Sequence, residues 1–152
     1  MVDALREVHR VLAAGGVLVD ARPDSRAFAF AERRKARGFQ RFGVVKTNRV
    51  ELASDRASDH AIERVVREGL FKRGRRGRFW HRVPFGSLAE LRHYLVEHQR
   101  FVHRAQWVVD AATRKRYASG PFVIRRAVRY ELLESLAKRE AARAPRNNPR
   151  RP

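Results

Sequence analysis

Clustered arginines beside aromatic residues form the segment of this sequence that most directly suggests a ligand. Residues 73–82 read Arg-Gly-Arg-Arg-Gly-Arg-Phe-Trp-His-Arg. Guanidinium groups pair with backbone phosphates, and aromatic rings stack on bases. The pattern therefore predicts a nucleic-acid-binding segment that uses Arg73, Arg75, Arg76, Arg78 and Trp80. The alternative is a solvated hairpin turn whose two aromatic residues, Phe79 and Trp80, belong to the core.

A second candidate site lies near the amino terminus. Asp20 and Arg22 follow the apolar run Val17–Val19, which has the character of a buried strand. Ligands of open α/β sheets bind beyond the carboxyl ends of the strands. Asp20 and Arg22 are therefore predicted to face a substrate. The alternative is a surface turn that carries an Asp–Arg ion pair.

Other residue types capable of chemistry form no recognisable site. The chain has no cysteine, and its six histidines show no compact metal-ligand spacing. Asp55, Asp59 and Glu63 are four residues apart on a predicted helix. Such carboxylates suit acid–base chemistry, but the spacing is also typical of a solvated helix face that pairs with nearby arginines. We assign no catalytic, cofactor-binding or metal-binding residue from the sequence.

The net charge of +19 favours anionic partners. Of the 35 lysines and arginines, five are lysine, so 30 are arginine. This excess is typical of a nucleic-acid-binding protein and equally of a GC-rich genome. The absence of cysteine, of a leader segment and of an apolar run near the roughly 20 residues of a membrane span predicts a cytoplasmic protein with no membrane partner.

Hydrophobic periodicity predicts an α/β fold: a partial Rossmann-like mixed sheet with antiparallel later strands and three or four helices. Residues 1–140 are expected to form one domain and residues 141–152 a disordered basic tail. Ser87 and Glu90 form a capping box that begins the third helix. For residues 27–49 we favour a hairpin over a helix capped by Ser25. The predicted helices are 3–13, 55–68, 87–98 and 105–118, and the predicted strands are 17–19, 71–85 and 122–128, with a helical spacing of leucines from Tyr130 onward.

The segment from Leu5 to Val19 also resembles a known family. It reads Leu-Arg-Glu-Val-His-Arg-Val-Leu-Ala-Ala-Gly-Gly-Val-Leu-Val. This is similar to the C-terminal half of Rossmann-like (class I) S-adenosylmethionine-dependent methyltransferases. In that family an amphipathic helix ends in Arg-Val-Leu-x-Pro-Gly-Gly and leads into the fifth strand of the sheet. Ala14 stands where the family usually has proline.

The resemblance implies S-adenosylmethionine chemistry for the full-length family but transfers no cofactor residue to this chain. The family holds the cofactor upstream of the matching segment, in a glycine-rich loop after the first strand and at an acidic residue after the second. This sequence has no Gly-x-Gly-x-x-Gly after a strand. The chain is therefore interpreted as a methyltransferase-like fragment, inactive alone, which is a truncated reading frame, a product of a late start codon or a degenerate paralogue. Whether it is an enzyme stays open.

The same resemblance predicts an exposed sheet edge. If Val17–Val19 is normally an interior strand, it presents an unpaired apolar edge here, which favours self-association or a partner chain. If it lies outside any sheet, or has strands of this chain on both sides, the methyltransferase interpretation fails. Two other functions stay open: a basic nucleic-acid-binding module, and a structural or vestigial protein that acts only with a partner.

Overall fold

Four helices and six strands make up the part of the chain that the structure describes. The structure is a computed structural model and describes residues 1–47, 49–97 and 102–137. This confirms the predicted α/β class. The elements are α1 (Val2–Val11), β1 (Val17–Pro23), β2 (Ala29–Arg34), β3 (Phe39–Thr47), α2 (Arg49–Arg67), β4 (Phe71–Ser87), α3 (Leu88–Glu97), β5 (Val102–Trp107), α4 (Ala111–Arg116) and β6 (Ser119–Ser135).

The last strand, β6, is the centre of the sheet. One of its edges pairs with β1 and then with β2, while β4 pairs along the other edge. The strands β3 and β5 extend the sheet beyond β2. Every strand pairing in the described part of the chain is antiparallel, including that of β1, the first strand of the sheet predicted to be mixed. Because β1 and β4 both run opposite to β6, they run parallel to each other.

The two glycines after α1 make the turn that places β1 beside β6. Gly15 has a φ of 76°, a conformation that glycine adopts without strain. A Cβ on Gly16 would lie 2.9 Å from the backbone oxygen of Ala13, so this position also requires glycine. The Gly15 amide donates to the Ser135 oxygen, and the Ser135 amide donates to the Gly16 oxygen, each at 2.8 Å. The turn is thereby fastened to the end of β6.

The second edge of β1 has no strand beside it in the described residues, since β1 pairs only with β6. Val17 is 51% exposed and Val19 is 57% exposed. Because side chains alternate along a strand, these valines lie on the face opposite that of Leu18, which packs against α1 and α2. The open edge predicted for this strand is therefore present.

Helices cover the sheet on both faces, and each face has its own core. On one face α1 and α2 pack on β6 and β4 through Leu5, Ile62, Val65, Phe71 and Leu133. On the other face α3 packs through a second cluster that includes Phe42, Leu88, Leu91, Phe122 and Ile124. Because side chains alternate along a strand, β6 contributes Leu133 to one core and Phe122 and Ile124 to the other.

The local predictions hold at the turns and caps. The favoured hairpin over residues 27–49 is β2–β3, closed by a bond from the Lys35 amide to the Gly38 oxygen at 3.0 Å. The capping residues act as predicted in part: Ser87 accepts from the Glu90 amide at 3.1 Å, and Glu90 accepts from the Gly86 amide at 2.7 Å.

Three element predictions differ from the structure. The helix expected over 55–68 begins earlier, at Arg49. The helix expected over 105–118 is the end of β5 followed by the short α4, Ala111–Arg116. The helical spacing from Tyr130 is wrong, because β6 continues to Ser135, and Leu133 lies between Leu18 of β1 and Arg73 of β4. The predicted tail, 141–152, lies outside the described residues.

None of the helices in the described segments combines the length and the apolar character that crossing a bilayer requires.

The open edge of β1 predicts that the chain associates with itself. A charge placed on this strand should abolish that association. Val19→Lys places a charge on the edge strand, and charged edge strands resist pairing with another chain. We expect the unmodified protein to associate with rising concentration in sedimentation velocity, and Val19→Lys to stay monomeric. Val11→Lys on α1, where the valine is 65% exposed, is the matched control and should associate like the unmodified protein. Equal behaviour of the two variants would contradict a role for the edge.

Candidate functional site: an arginine-lined cleft

An open cleft of about 730 Å³ lies between α2 and the strands β1, β6 and β4. It contains both Asp20 and Arg22 and three of the arginines predicted to bind nucleic acid. The two candidate sites of the sequence are therefore one place in the fold. We call it the arginine cleft; its charged lining residues are Asp20, Arg22, Asp24, Arg26, Asp59, Glu63, Arg73, Arg76, Arg78, Arg129 and Glu131.

Strand register explains why these charges meet. Asp20 of β1 and Arg76 of β4 both lie opposite Glu131 of the central strand. Two residues further along each strand, Arg22 and Arg78 both lie opposite Arg129. Residues directly opposite across a ladder share a face, and residues two apart along a strand share it too. The three strands therefore present two transverse rows of charged side chains on one face.

The pair Asp20–Arg22 forms the wall of the cleft that β1 contributes. Its closest nitrogen–oxygen distance is 2.8 Å, and both side chains are largely buried. Because β1 continues to Pro23, both residues lie within the strand rather than in a turn beyond it. Arg22 also reaches α2, with Nη2 at 3.0 Å from Asp59. The ion pair is thus present, but it is part of a larger network.

Asp59 is the centre of that network. Its carboxylate lies 3.0 Å from Arg22, 3.0 Å from Arg26 and 2.8 Å from Arg129. Burial disfavours the charged carboxylate, but the hydrogen bonds and charges of Arg129 and Arg22 outweigh it and lower the pKa of Asp59. A carboxylate held in this state is a weak proton acceptor. It positions guanidinium groups rather than moving protons.

The remaining acidic residues of α2 anchor the helix on the sheet. Asp55 is buried and accepts from both the amide and the hydroxyl of Ser25. Glu51 is buried and pairs with Arg126, whose pKa burial lowers. The pairing with arginines expected for this helix face is therefore found at Asp59, whereas solvent exposure is found at Glu63. Asp55 and Asp59 face the sheet.

The predicted nucleic-acid residues of β4 divide between the cleft and its surroundings. Arg73 pairs with Glu131 at 2.7 Å, and Arg78 pairs with Asp24 at 2.7 Å. Arg76 is exposed in the cleft, with no ion-pair partner among the described residues. Arg75 lies in the register shift between Arg73 and Arg76 and does not line the cleft.

Trp80 also lies outside the cleft, and it is not a core residue. Its side chain is 41% exposed, and its ring lies 5.9 Å from that of Phe30. Arg125 lies over both rings, at 4.5 Å from Trp80 and 4.9 Å from Phe30. Phe79 is exposed as well. The alternative in which both aromatic residues belong to the core is therefore wrong.

Arg129 and Asp59 are the central residues that the sequence did not single out for the site. The available signal is charge inside an apolar strand: Arg125, Arg129 and Glu131 occupy odd positions of a segment otherwise rich in valine, isoleucine and leucine. Such alternation indicates a strand with a charged face. It does not tell which acidic residue of another element lies opposite.

The arrangement brings together six guanidinium groups and five carboxylates, and most of the guanidinium groups are in ion pairs. Within the described segments, no three histidine, aspartate or glutamate side chains are grouped as metal ligands. The cleft offers guanidinium donors, most of them already oriented by carboxylates. Such preorganised arginines recognise planar or tetrahedral anions.

Comparisons with protein-family models, curated proteins and solved structures find no match to this chain.

The network around Asp59 predicts a specific loss of stability. Asp59→Asn removes the charge that three arginines share and should lower the free energy of unfolding at pH 7 by about 1–3 kcal/mol. Because the folded pKa lies below the ordinary value of 3.8, this stabilisation is present above that value. It diminishes as the pH falls through the folded pKa.

Urea denaturation at pH 7 and at pH 3 measures both effects. The difference between the unmodified protein and Asp59→Asn should shrink at pH 3. Asp3→Asn is the control: its side chain is 93% exposed and pairs only with Arg6, so it should change stability by less than about 1 kcal/mol. A pH-independent difference for Asp59→Asn would mean that the charge is not the stabilising feature.

Proposed function

We propose that this chain is the substrate-side part of a methyltransferase-like α/β sheet and that a cofactor-binding part pairs with the free edge of β1. The observation that carries the proposal is the position of β1. It follows the α1–Gly15–Gly16 unit that resembles the family segment, and among the described residues it has a strand on one side only. A strand with an open edge and exposed valines is suited to a neighbouring strand.

Hydrogen bonding gives a second argument for a neighbouring strand. In an antiparallel pair, alternate backbone N–H and C=O groups point away from the partner strand. Those on the outer edge of β1 have no partner strand among the described residues. A further strand would satisfy these groups.

The described residues do not fit S-adenosylmethionine itself. The methyl-bearing sulfur of that compound is positively charged, whereas the cleft is lined by six arginines and five carboxylate residues and so has no acidic excess to favour it. No glycine-rich loop follows a strand in the sequence. We therefore derive no catalytic step for this chain and place the cofactor on the part that would join at β1.

What this chain contributes, in the proposal, is the surface that holds the methyl acceptor. Asp20 and Arg22 lie in the carboxyl-terminal half of β1, and ligands of α/β sheets approach from that end of such strands. The arginine cleft opens beside them, and Arg76, which has no ion-pair partner among the described residues, would hold an anionic group of the acceptor there. We place this activity in the cytoplasm, consistent with a sequence that has no cysteine.

The genomic sequence upstream of the Met1 codon provides the test. We expect an in-frame segment that encodes a strand, a glycine-rich loop and a helix. A protein that includes this segment should bind S-adenosylmethionine with one site per chain in isothermal titration calorimetry. The chain that begins at Met1 is the control and should show no saturable binding.

Two results would contradict the proposal. One is saturable binding near micromolar concentration by the chain that begins at Met1. The other is an upstream sequence without the glycine-rich segment, or an extended protein that folds but does not bind S-adenosylmethionine.

A further inference from the structure

A single row of side chains runs along β4 beyond the cleft. Arg76, Arg78, Trp80 and Arg82 occupy alternate positions, and their partners on β6 are Glu131, Arg129, Ala127 and Arg125 in the same order. Alternate residues of a strand share one face and are about 6.7 Å apart. The four residues, which we call the β4 row, therefore follow a straight line of about 20 Å.

The outer half of the row is a platform of stacked planar groups. Arg125 lies over the rings of Trp80 and Phe30. The guanidinium of Arg41 also lies over the Phe30 ring, 4.1 Å from its centroid. Arg82 lies 4.7 Å over the ring of Phe39. Trp80 and Phe39 are each 41% exposed, so part of each ring is accessible to a ligand.

The charges of the row are only partly neutralised within the protein. Arg82 lies opposite Arg125 on β6, so its cross-strand neighbour is a second arginine and not an acidic residue. Arg125 itself pairs with Glu32. Arg76 has no ion-pair partner in the described segments, and the Arg78 side chain is 57% exposed although it pairs with Asp24. Like charges opposite each other across a ladder are unfavourable unless an anion neutralises them. Arg76 and Arg82, which are exposed and have no ion pair in the described part of the chain, are therefore available to an anionic ligand.

We propose that the β4 row binds single-stranded nucleic acid, with phosphates at Arg76, Arg78 and Arg82 and a base on Trp80. A linear series of arginines interrupted by an exposed aromatic ring matches the alternation of charge and planar base along an unpaired strand. A duplex keeps its bases stacked and offers none to Trp80. That this nucleic acid is the methyl acceptor rests on the proposed function; the binding itself does not.

Fluorescence anisotropy of a labelled ten-nucleotide oligouridine, titrated with the full chain over a series of salt concentrations, tests the inference. Trp80→Ala should weaken binding by about 5- to 150-fold, the range that corresponds to removing the stacking of one base. Trp80→Phe keeps a ring and should recover most of the affinity. Circular dichroism melts of each variant establish that it is folded.

Arg76→Ala tests the pairing with phosphates separately. Arg76 is exposed and unpaired in the described part of the chain, so its removal leaves no buried group without a partner. The dependence of log K on log salt should become shallower by about 0.7, because one phosphate is no longer neutralised by the protein. Arg56→Ala, which removes an exposed arginine from α2 outside the cleft lining, is the matched control and should leave the salt dependence unchanged.

Three results would overturn the inference: no binding at low salt, equal binding of oligouridine and duplex with no effect of Trp80→Ala, or equal salt dependence for Arg76→Ala and Arg56→Ala. None of these measurements contains S-adenosylmethionine. If the oligouridine results hold and no cofactor-binding segment exists upstream, the proposed function fails and the binding surface stands. If the cofactor-binding segment exists and the oligouridine results fail, the methyltransferase proposal stands and nucleic acid is not its methyl acceptor.

Discussion

The pairing of β1 with β6 is the interaction on which the rest of this structure depends. It is fastened at one end by the reciprocal bonds between the Gly15–Gly16 turn and Ser135. From there the register aligns Asp20 with Glu131 and Arg22 with Arg129. A slip of one residue would turn every side chain of β1 to the opposite face. The arginine cleft, the bonds from Arg22 to α2 and the apolar outer edge of β1 all follow from this one register.

The same register explains why a sheet face rich in charge is stable. Arg129 lies beneath α2, where an unpaired guanidinium would be costly, and the helix supplies Asp55 and Asp59 at four-residue spacing to meet it. The other end of α2 binds the sheet through Ile62 and Val65. On its sheet-facing side the helix is therefore ionic at Glu51, Asp55 and Asp59 and apolar at Ile62 and Val65. The cleft opens beside Asp59, Ile62 and Glu63, and most of its arginines are oriented before any ligand arrives.

Local signals in the sequence predicted the elements whose ends are fixed locally. The glycines after α1, the turn before Gly38 and the cap at Ser87 each determine backbone geometry within a few residues. The prediction for the region from Tyr130 failed because leucines at 132, 133 and 136 satisfy a helical period, whereas pairing with β1 and β4 on both sides imposes the strand. Tertiary pairing overrides periodicity in so short a window. The candidate site shows the same limit, because Asp20 and Arg22 share one cleft with Arg73, Arg76 and Arg78 only when β6 lies between β1 and β4. That arrangement pairs residues as distant in sequence as Val17 and Glu134, so Arg129 of the central strand was not recognised as part of the site.

The free edge of β1 connects the fold to its proposed role, and amide hydrogen exchange measured by NMR on the dilute monomer tests it most directly. We predict that the amide exchange rate alternates along residues 17–22. Amides that donate to β6 should exchange slowly, and the intervening amides, which point to the free edge, should exchange quickly. Amides of β6 at residues 122–125 and 128–131, where the strand is paired on both sides, should be slow throughout. Uniformly slow exchange along β1 in the monomer would contradict a free edge, because the outer side of the strand would then already be paired.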